Sequence, residues 1–229
     1  MDEYLIKPIA YIRNDLKTKF GVPRQSGLAS SLLSEIVFEP EFRVSDALRG
    51  IKDFSHIWLI WSFSEARRND WSPTVRPPRL GGNERVGVFA TRSPYRPNSL
   101  ALSCVKLVDV EHREGVGDVI IVSGADLMNG TPIYDIKPYL PYADSIGDAV
   151  GGFAPDGGKT LDVIDEGGAL SKLKNEKREA LVELLSRDPR PQYHNDNERV
   201  YGMEYGVFEV KFRVEDTRLY IISIELSKK

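Results

Sequence analysis

The chain has 229 residues, 41% of them hydrophobic and 28% charged, with a formal net charge of −3 and a single cysteine, Cys104. That length holds one large domain or a domain with a small appendage, and the composition is ordinary for a soluble globular protein. An internal disulfide and a cysteine metal cluster are excluded, and His56, His112 and His194 are too scattered to suggest any metal site. The opening Met1-Asp2-Glu3-Tyr4 has no secretory-signal pattern, and the longest apolar run, residues 57–61, is too short to span a bilayer. A cytoplasmic protein with no membrane partner is expected.

Charge is unevenly spread. Residues 67–98 hold seven arginines, no lysine and two acids (Asp70, Glu84), a local balance of +5 in a chain of net −3. Guanidinium groups bind phosphate in a fork, so an arginine-only patch on an acidic chain points to phosphate recognition.

In chain order, residues 4–13 are rich in Ile and Tyr and read as a strand that Pro8 confines to an edge or a bulge. A loop follows at 20–27, carrying Arg24 and Gln25. Residues 32–38 read as a short strand, and 45–50 as a helical turn with Ser45 as cap and Gly50 as stop. Residues 54–63 are β-forming and apolar on both faces, the pattern of a central strand. The proline- and glycine-rich stretch 64–85 reads as a long functional loop with Trp71 as anchor or base-stacking ring. At 87–98 a strand through Val88, Phe89 and Thr91 is expected to break at Pro94 and Pro97. That break leaves Arg92, Arg96 and Asn98 on a stiff loop.

Strands are expected at 100–110 and 119–125, then a turn at Asn129-Gly130. Asp135 and Lys137 alternate with Ile136, so an extended strand puts both on one face. They read either as a structural ion pair or as part of a site. Residues 151–158 are a glycine-rich linker, 169–187 have helical spacing stopped by Asp188-Pro189, and 208–214 with 220–226 alternate as a hairpin. The fold class is therefore mainly β: a β-barrel domain at 1–149 and a small α+β domain at 160–229, a helix plus a hairpin. No dinucleotide-binding glycine fingerprint, P-loop or nucleophile elbow is present. The residues alone lead to a barrel that binds an anionic or adenine-like ligand through arginine loops.

Several blocks resemble a known family. They are Val22-Pro23-Arg24-Gln25-Ser26-Gly27, Phe54-Ser55-His56-Ile57-Trp58, Val75-Arg76-Pro77-Pro78, residues 87–98 and residues 126–142. The family is the TsaA-like one, whose characterised bacterial members are tRNA adenosine-37 N6-methyltransferases acting on threonylcarbamoyladenosine. Asp188-Pro189-Arg190-Pro191-Gln192-Tyr193 and the C-terminal hairpin match its two-domain bacterial form, so the resemblance covers nearly the whole chain. It implies a barrel that binds S-adenosylmethionine without a Rossmann fold, a homodimer, and tRNA, through its anticodon loop, as partner.

The resemblance places the cofactor among Pro23, Arg24, Gln25, Phe63, Ser64, Arg92, Leu102, Gly130, Thr131, Pro132 and Ile133. Three departures stand out: Ser64 where the family commonly has His, Ser99-Leu100-Ala101 after the Arg-Pro-Asn, and Met128-Asn129 before Gly-Thr-Pro. Methyl transfer from a sulfonium needs neither a metal nor a covalent enzyme intermediate, and positioning can supply roughly 7–11 kcal/mol of barrier. Asp135 is the candidate acceptor that turns N6 toward the methyl, with Lys137 and Tyr139 orienting it or touching the base. Arg67, Arg68, Trp71, Arg76, Arg79, Arg85 and Arg96 are the candidate RNA contacts. The rival readings are a same-fold methyltransferase on another RNA or a small molecule, and a non-enzymatic RNA-binding barrel.

Overall fold

Six strands, each sending apolar side chains into one shared core, organise the first half of the chain. A computed structural model describes residues 3–63, 70–191 and 196–227. Its strands β1 (Ala10–Arg13), β2 (Leu33–Phe38), β3 (His56–Ser62), β6 (Leu100–Arg113), β7 (Gly117–Ser123) and β8 (Pro132–Pro138) close into a barrel in the order β1-β2-β7-β6-β3-β8. Every neighbouring pair is antiparallel, and β8 returns to β1 through Ala10 opposite Ile133. Ile57, Leu59 and Trp61 of β3 face inward with Val105 and Leu107 of β6 and Ile120 and Val122 of β7. Each fully buried chain of this size is worth about 1.5–3 kcal/mol relative to exposure.

The ends of these strands differ from the sequence reading. Residues 4–8 lie outside the sheet because Pro8 has no N–H to give, and pairing starts where the Ile9 N–H meets the Ile133 carbonyl at 2.8 Å. The β6–β7 hairpin is tighter than expected. Positive φ at Gly115 and Gly117 (73° and 84°) lets the strands run on to Arg113 and restart at Gly117.

The expected strand at 87–91 is a correction. Only Val86–Gly87 (β5) pairs, with Thr74–Val75 (β4), and Val88–Ala90 winds into a 3-10 turn. β propensity needs a partner strand, and among the described residues none lies alongside beyond two residues. Instead Val88 is buried and the Thr91 hydroxyl donates to the Val88 carbonyl at 2.8 Å. Ser45 likewise starts a 3-10 turn (Ser45–Leu48) without a side-chain cap bond.

After the short helix α1 (Pro141–Asp144), a second sheet runs β10-β11-β12-β9, built from β9 (Asp162–Ile164), β10 (Tyr201–Tyr205), β11 (Phe208–Glu215) and β12 (Arg218–Leu226). The hairpin β11–β12 was legible in the alternation, whereas β9, parallel to β12, and β10 were not. The expected helix splits at the extended Lys174 into a 3-10 turn (Ala169–Lys172) and α2 (Asn175–Ser186). Leu181, Leu184 and Leu185 of α2 cover the sheet.

That second core also holds Leu16, Ala29 and Leu32, with Phe20 and Val22 against it. The segment between β1 and β2 therefore leaves the barrel and packs into the C-terminal unit.

Candidate functional site

At one end of the barrel a hydrogen-bonded chain runs out of the core. The Trp61 indole Nε1 donates to Ser103 Oγ at 2.9 Å, and Ser103 Oγ donates to Asp126 Oδ1 at 2.6 Å. Ser103 is buried on β6, so its hydroxyl needs both partners. Burial pushes the Asp126 carboxyl above its ordinary range, and the Ser103 bond, backbone N–H groups and the charge of Arg92 offset this only in part. Arg92 Nη1 in turn donates to Gln25 Oε1. Three loops, around residues 25, 92 and 126, thus meet through polar side chains.

The turn at Asn129-Gly130 is docked on β1. Gly130, at φ 80°, gives its N–H to the Ile12 carbonyl, while the Ile12 N–H meets the Thr131 carbonyl. Thr131, Pro132 and Ile133 have their side chains in the barrel wall, so of the four residues expected there only Gly130 is exposed. Phe63 rests on Trp61, with ring centroids 4.6 Å apart. Pro23 is buried, and Arg24 leans onto the Asp188 and Arg190 carbonyls of the second unit rather than toward Gln25. Ser64, Arg67 and Arg68 fall outside the described residues.

The outer face of β3 carries the second cluster. Ile60 pairs with Leu102 on one side and Asp135 on the other, and Trp58 pairs with Cys104 and Lys137. Cross-strand partners share a face, so Leu102, Ile60 and Asp135 form one outward row, its outer members about 10 Å apart. The register shifts between Ile60 and Trp61, leaving Tyr134 as the extra residue beside Asp135. Bulges of this kind re-aim side chains next to sites. Lys137 Nζ lies 2.9 Å from Asp135 Oδ2, and the Ile136 N–H meets Asp135 Oδ1 at 2.9 Å. Tyr139 packs on Trp58 and edge-on against His56. The Trp58 indole donates to Asp144, which also takes the Leu140 N–H. Those two bonds hold the Asp144 carboxyl below its usual range.

The arginine loop is less free than its composition suggests. Arg79 grips Asp156 through its backbone carbonyl (2.7 Å), Arg85 donates to Thr74 Oγ1 (3.0 Å), and Arg96 donates to the Thr91 carbonyl (2.8 Å). Arg76 and Trp71 are exposed. Sequence reasoning missed Asp126, Ser103 and Trp61, and Phe89 as a partner of Trp71. Asp126 does open the 126–142 block that carries the resemblance, but no role was read for its side chain. Among the described residues no group of three His, Cys, Asp or Glu side chains could hold a metal ion, and no helix is long and apolar enough to cross a membrane.

Residues 11–145 match the tRNA-methyltransferase O N-terminal domain, and residues 161–227 the TrmO C-terminal domain. The chain is 38% identical over 235 residues to the tRNA (adenine(37)-N6)-methyltransferase of Escherichia coli (strain K12), covering 98% of this chain and 99% of that one. It is 37% identical over 145 residues to a protein of Methanothermobacter thermautotrophicus named "Probable S-adenosyl-L-methionine-binding protein", covering 63% of this chain and 96% of that one. A solved structure of TrmO from Pseudomonas aeruginosa superposes with a TM-score of 0.79 at 29% identity, over 98% of this chain and all of the other. Two matched domains and full-length similarity place the chain: it belongs to the tRNA-methyltransferase O family.

Proposed function

We propose that this S-adenosylmethionine-dependent tRNA methyltransferase methylates N6 of threonylcarbamoyladenosine at position 37, in the anticodon loop, and does so in the cytoplasm. The observation that carries this reading is the row Leu102–Ile60–Asp135, which puts an apolar contact and a carboxylate on one face. The residues present fit the cofactor. Leu102 and Phe63 offer apolar surface to a purine, Arg92 a cation for a carboxylate, and Asp126 with Gln25 acceptors for an ammonium or hydroxyls.

When bound, S-adenosylmethionine supplies an electrophilic methyl on a sulfonium. The chain's own part is placement. Asp135 has one oxygen on the Ile136 N–H and the other on Lys137, which fixes the carboxylate while leaving lone pairs to accept the N6 proton. Tyr139, braced by Trp58 and His56, offers a ring edge to the base.

The outer face is also incomplete in one chain. Leu100 and Leu102 are 38% and 50% exposed there, and Tyr142, Ile146 and Val150 follow in an exposed segment. A homodimer that lays a second copy over this face would bury them and close the site from water.

The test is methylation of tRNA that carries threonylcarbamoyladenosine, read by nucleoside mass spectrometry. One added methyl on that nucleoside, absent without S-adenosylmethionine, is the expected result. Methylation of another nucleoside would move the substrate, and no methyl on any RNA would leave a binding barrel.

A further inference from the structure

Apart from the barrel face, two aromatic rings stand side by side in solvent. Trp71 is 49% and Phe89 71% exposed, their centroids 6.3 Å apart and their planes 23° from parallel. The guanidinium of Arg96 lies 5.8 Å from the Phe89 centroid. These rings are held in place. Phe89 sits on the 3-10 turn whose neighbour Val88 is buried and gives its N–H to the Pro73 carbonyl. The residue after Trp71, Ser72, ties back to the Tyr95 carbonyl. Arg96 is fixed by the Thr91 carbonyl, so its cation stays over the ring.

A rigid, exposed aromatic pair costs solvation, and between half and three-quarters of each side chain's area, of about 150–250 Å² in all, is left to bury against a partner. Its surroundings narrow the choice of partner. The described residues 70–98 carry five arginines against Asp70 and Glu84, in a chain of net −3. Positive charge around flat rings suits a phosphate backbone with unstacked bases, whereas an apolar protein partner needs no such charge. Among the described residues, strands β4 and β5, which frame the pair, form a two-stranded sheet of their own, separate from the barrel sheet that carries Asp135.

We propose that Trp71 and Phe89, with Arg96 behind them, form a stacking platform for an unpaired nucleobase of the RNA substrate, distinct from the base that meets Asp135. This rests on the tRNA-methyltransferase reading above.

The experiment uses the full-length protein and an anticodon stem-loop RNA carrying the target nucleoside, with methylation kinetics and tryptophan fluorescence read together. Phe89→Ala should raise the KM for RNA by roughly 5- to 150-fold, the range for one lost base stack. Its kcat, its S-adenosylmethionine affinity and its melting temperature should stay near wild type, and Phe89→Tyr should restore most of the KM. RNA should quench wild-type fluorescence, and Trp71→Phe should lose a distinct share of that response, leaving what Trp58 beside Tyr139 contributes. If wild type methylates the RNA but Phe89→Ala has an unchanged KM, the platform is wrong and the function stands. Should Phe89→Ala instead change the sedimenting mass with KM unmoved, the rings belong to a contact between copies and the proposal is overturned. A wild-type protein that neither binds nor methylates the RNA overturns the function and the platform together.

Discussion

Two carboxylates with different surroundings carry the residue-scale argument. Asp135 is half exposed and ion-paired, so its pair alone adds little stability. Asp135→Ala should therefore melt close to wild type yet lose most of kcat, while Asp135→Asn keeps an acceptor oxygen and retains more. Single-turnover methylation beside thermal melts of Asp135→Ala and Lys137→Ala decides this. A rate loss that only tracks unfolding in both variants would reduce the pair to a structural bond. Asp126 behaves differently because burial raises its folded pKa above the unfolded value. Below the unfolded pKa both states hold the proton and nothing is lost. As pH climbs through the raised folded value the unfolded chain has already released its proton, and stability falls by up to about 1.4 kcal/mol per pH unit. Asp126→Asn keeps the oxygen that Ser103 donates to and has no proton to release. Its melting temperature should gain on wild type as pH rises from the carboxylate range, and a gap that stays constant with pH would contradict the assignment.

Elements were legible where one face had to be dry. β3 was readable because residues 54–63 are β-forming and apolar on both faces, and in the structure Ile57, Leu59 and Trp61 take its inner side. β11 and β12 were readable from their strict alternation of apolar and polar residues. β9 was lost because three residues carry no period, and its parallel pairing to Arg218–Tyr220 of β12 is a tertiary fact. The 87–91 stretch failed through the opposite error, strong β-formers with no partner strand among the described residues past Gly87. The site shows the same division. Asp135 and Lys137 stood out by alternation on β8, and the structure pairs them. The Trp61–Ser103–Asp126 chain joins residues 42 and 23 positions apart, so no local pattern announces it. Arginine count overstated the loop's free cations, since a guanidinium that braces backbone carbonyls looks identical in sequence to one left in water.

At the scale of the molecule, the loop proposed to hold the cofactor at residues 23–25 is held from outside the barrel. Residues 16–32 leave the sheet and lodge in the core beneath α2, carrying the Pro23-Arg24-Gln25 loop with them. Glu183 on α2 is the main polar fastener, accepting from the Ser30 hydroxyl (3.1 Å), the Ser31 N–H (2.8 Å) and the Ser31 hydroxyl (2.9 Å). Lys177 pairs with Asp15, and Arg187 donates to the Leu28 carbonyl. The C-terminal unit is thus a clamp on a loop whose Gln25 reaches Arg92. Glu183→Ala takes the acceptor from the half-buried Ser31 N–H and hydroxyl and from the exposed Ser30 hydroxyl, which water can partly replace, a loss of about 0.5–1.5 kcal/mol. No residue of the barrel wall is touched by that change. The expected outcome in the full-length chain is a modest fall in melting temperature together with weaker S-adenosylmethionine binding by calorimetry, since a looser loop must be ordered again on binding. Glu183→Gln keeps one acceptor oxygen and should recover part of both. If Glu183→Ala melts earlier but binds the cofactor as tightly as wild type, the barrel alone sets the loop. The C-terminal unit would then have no part in shaping the cofactor site.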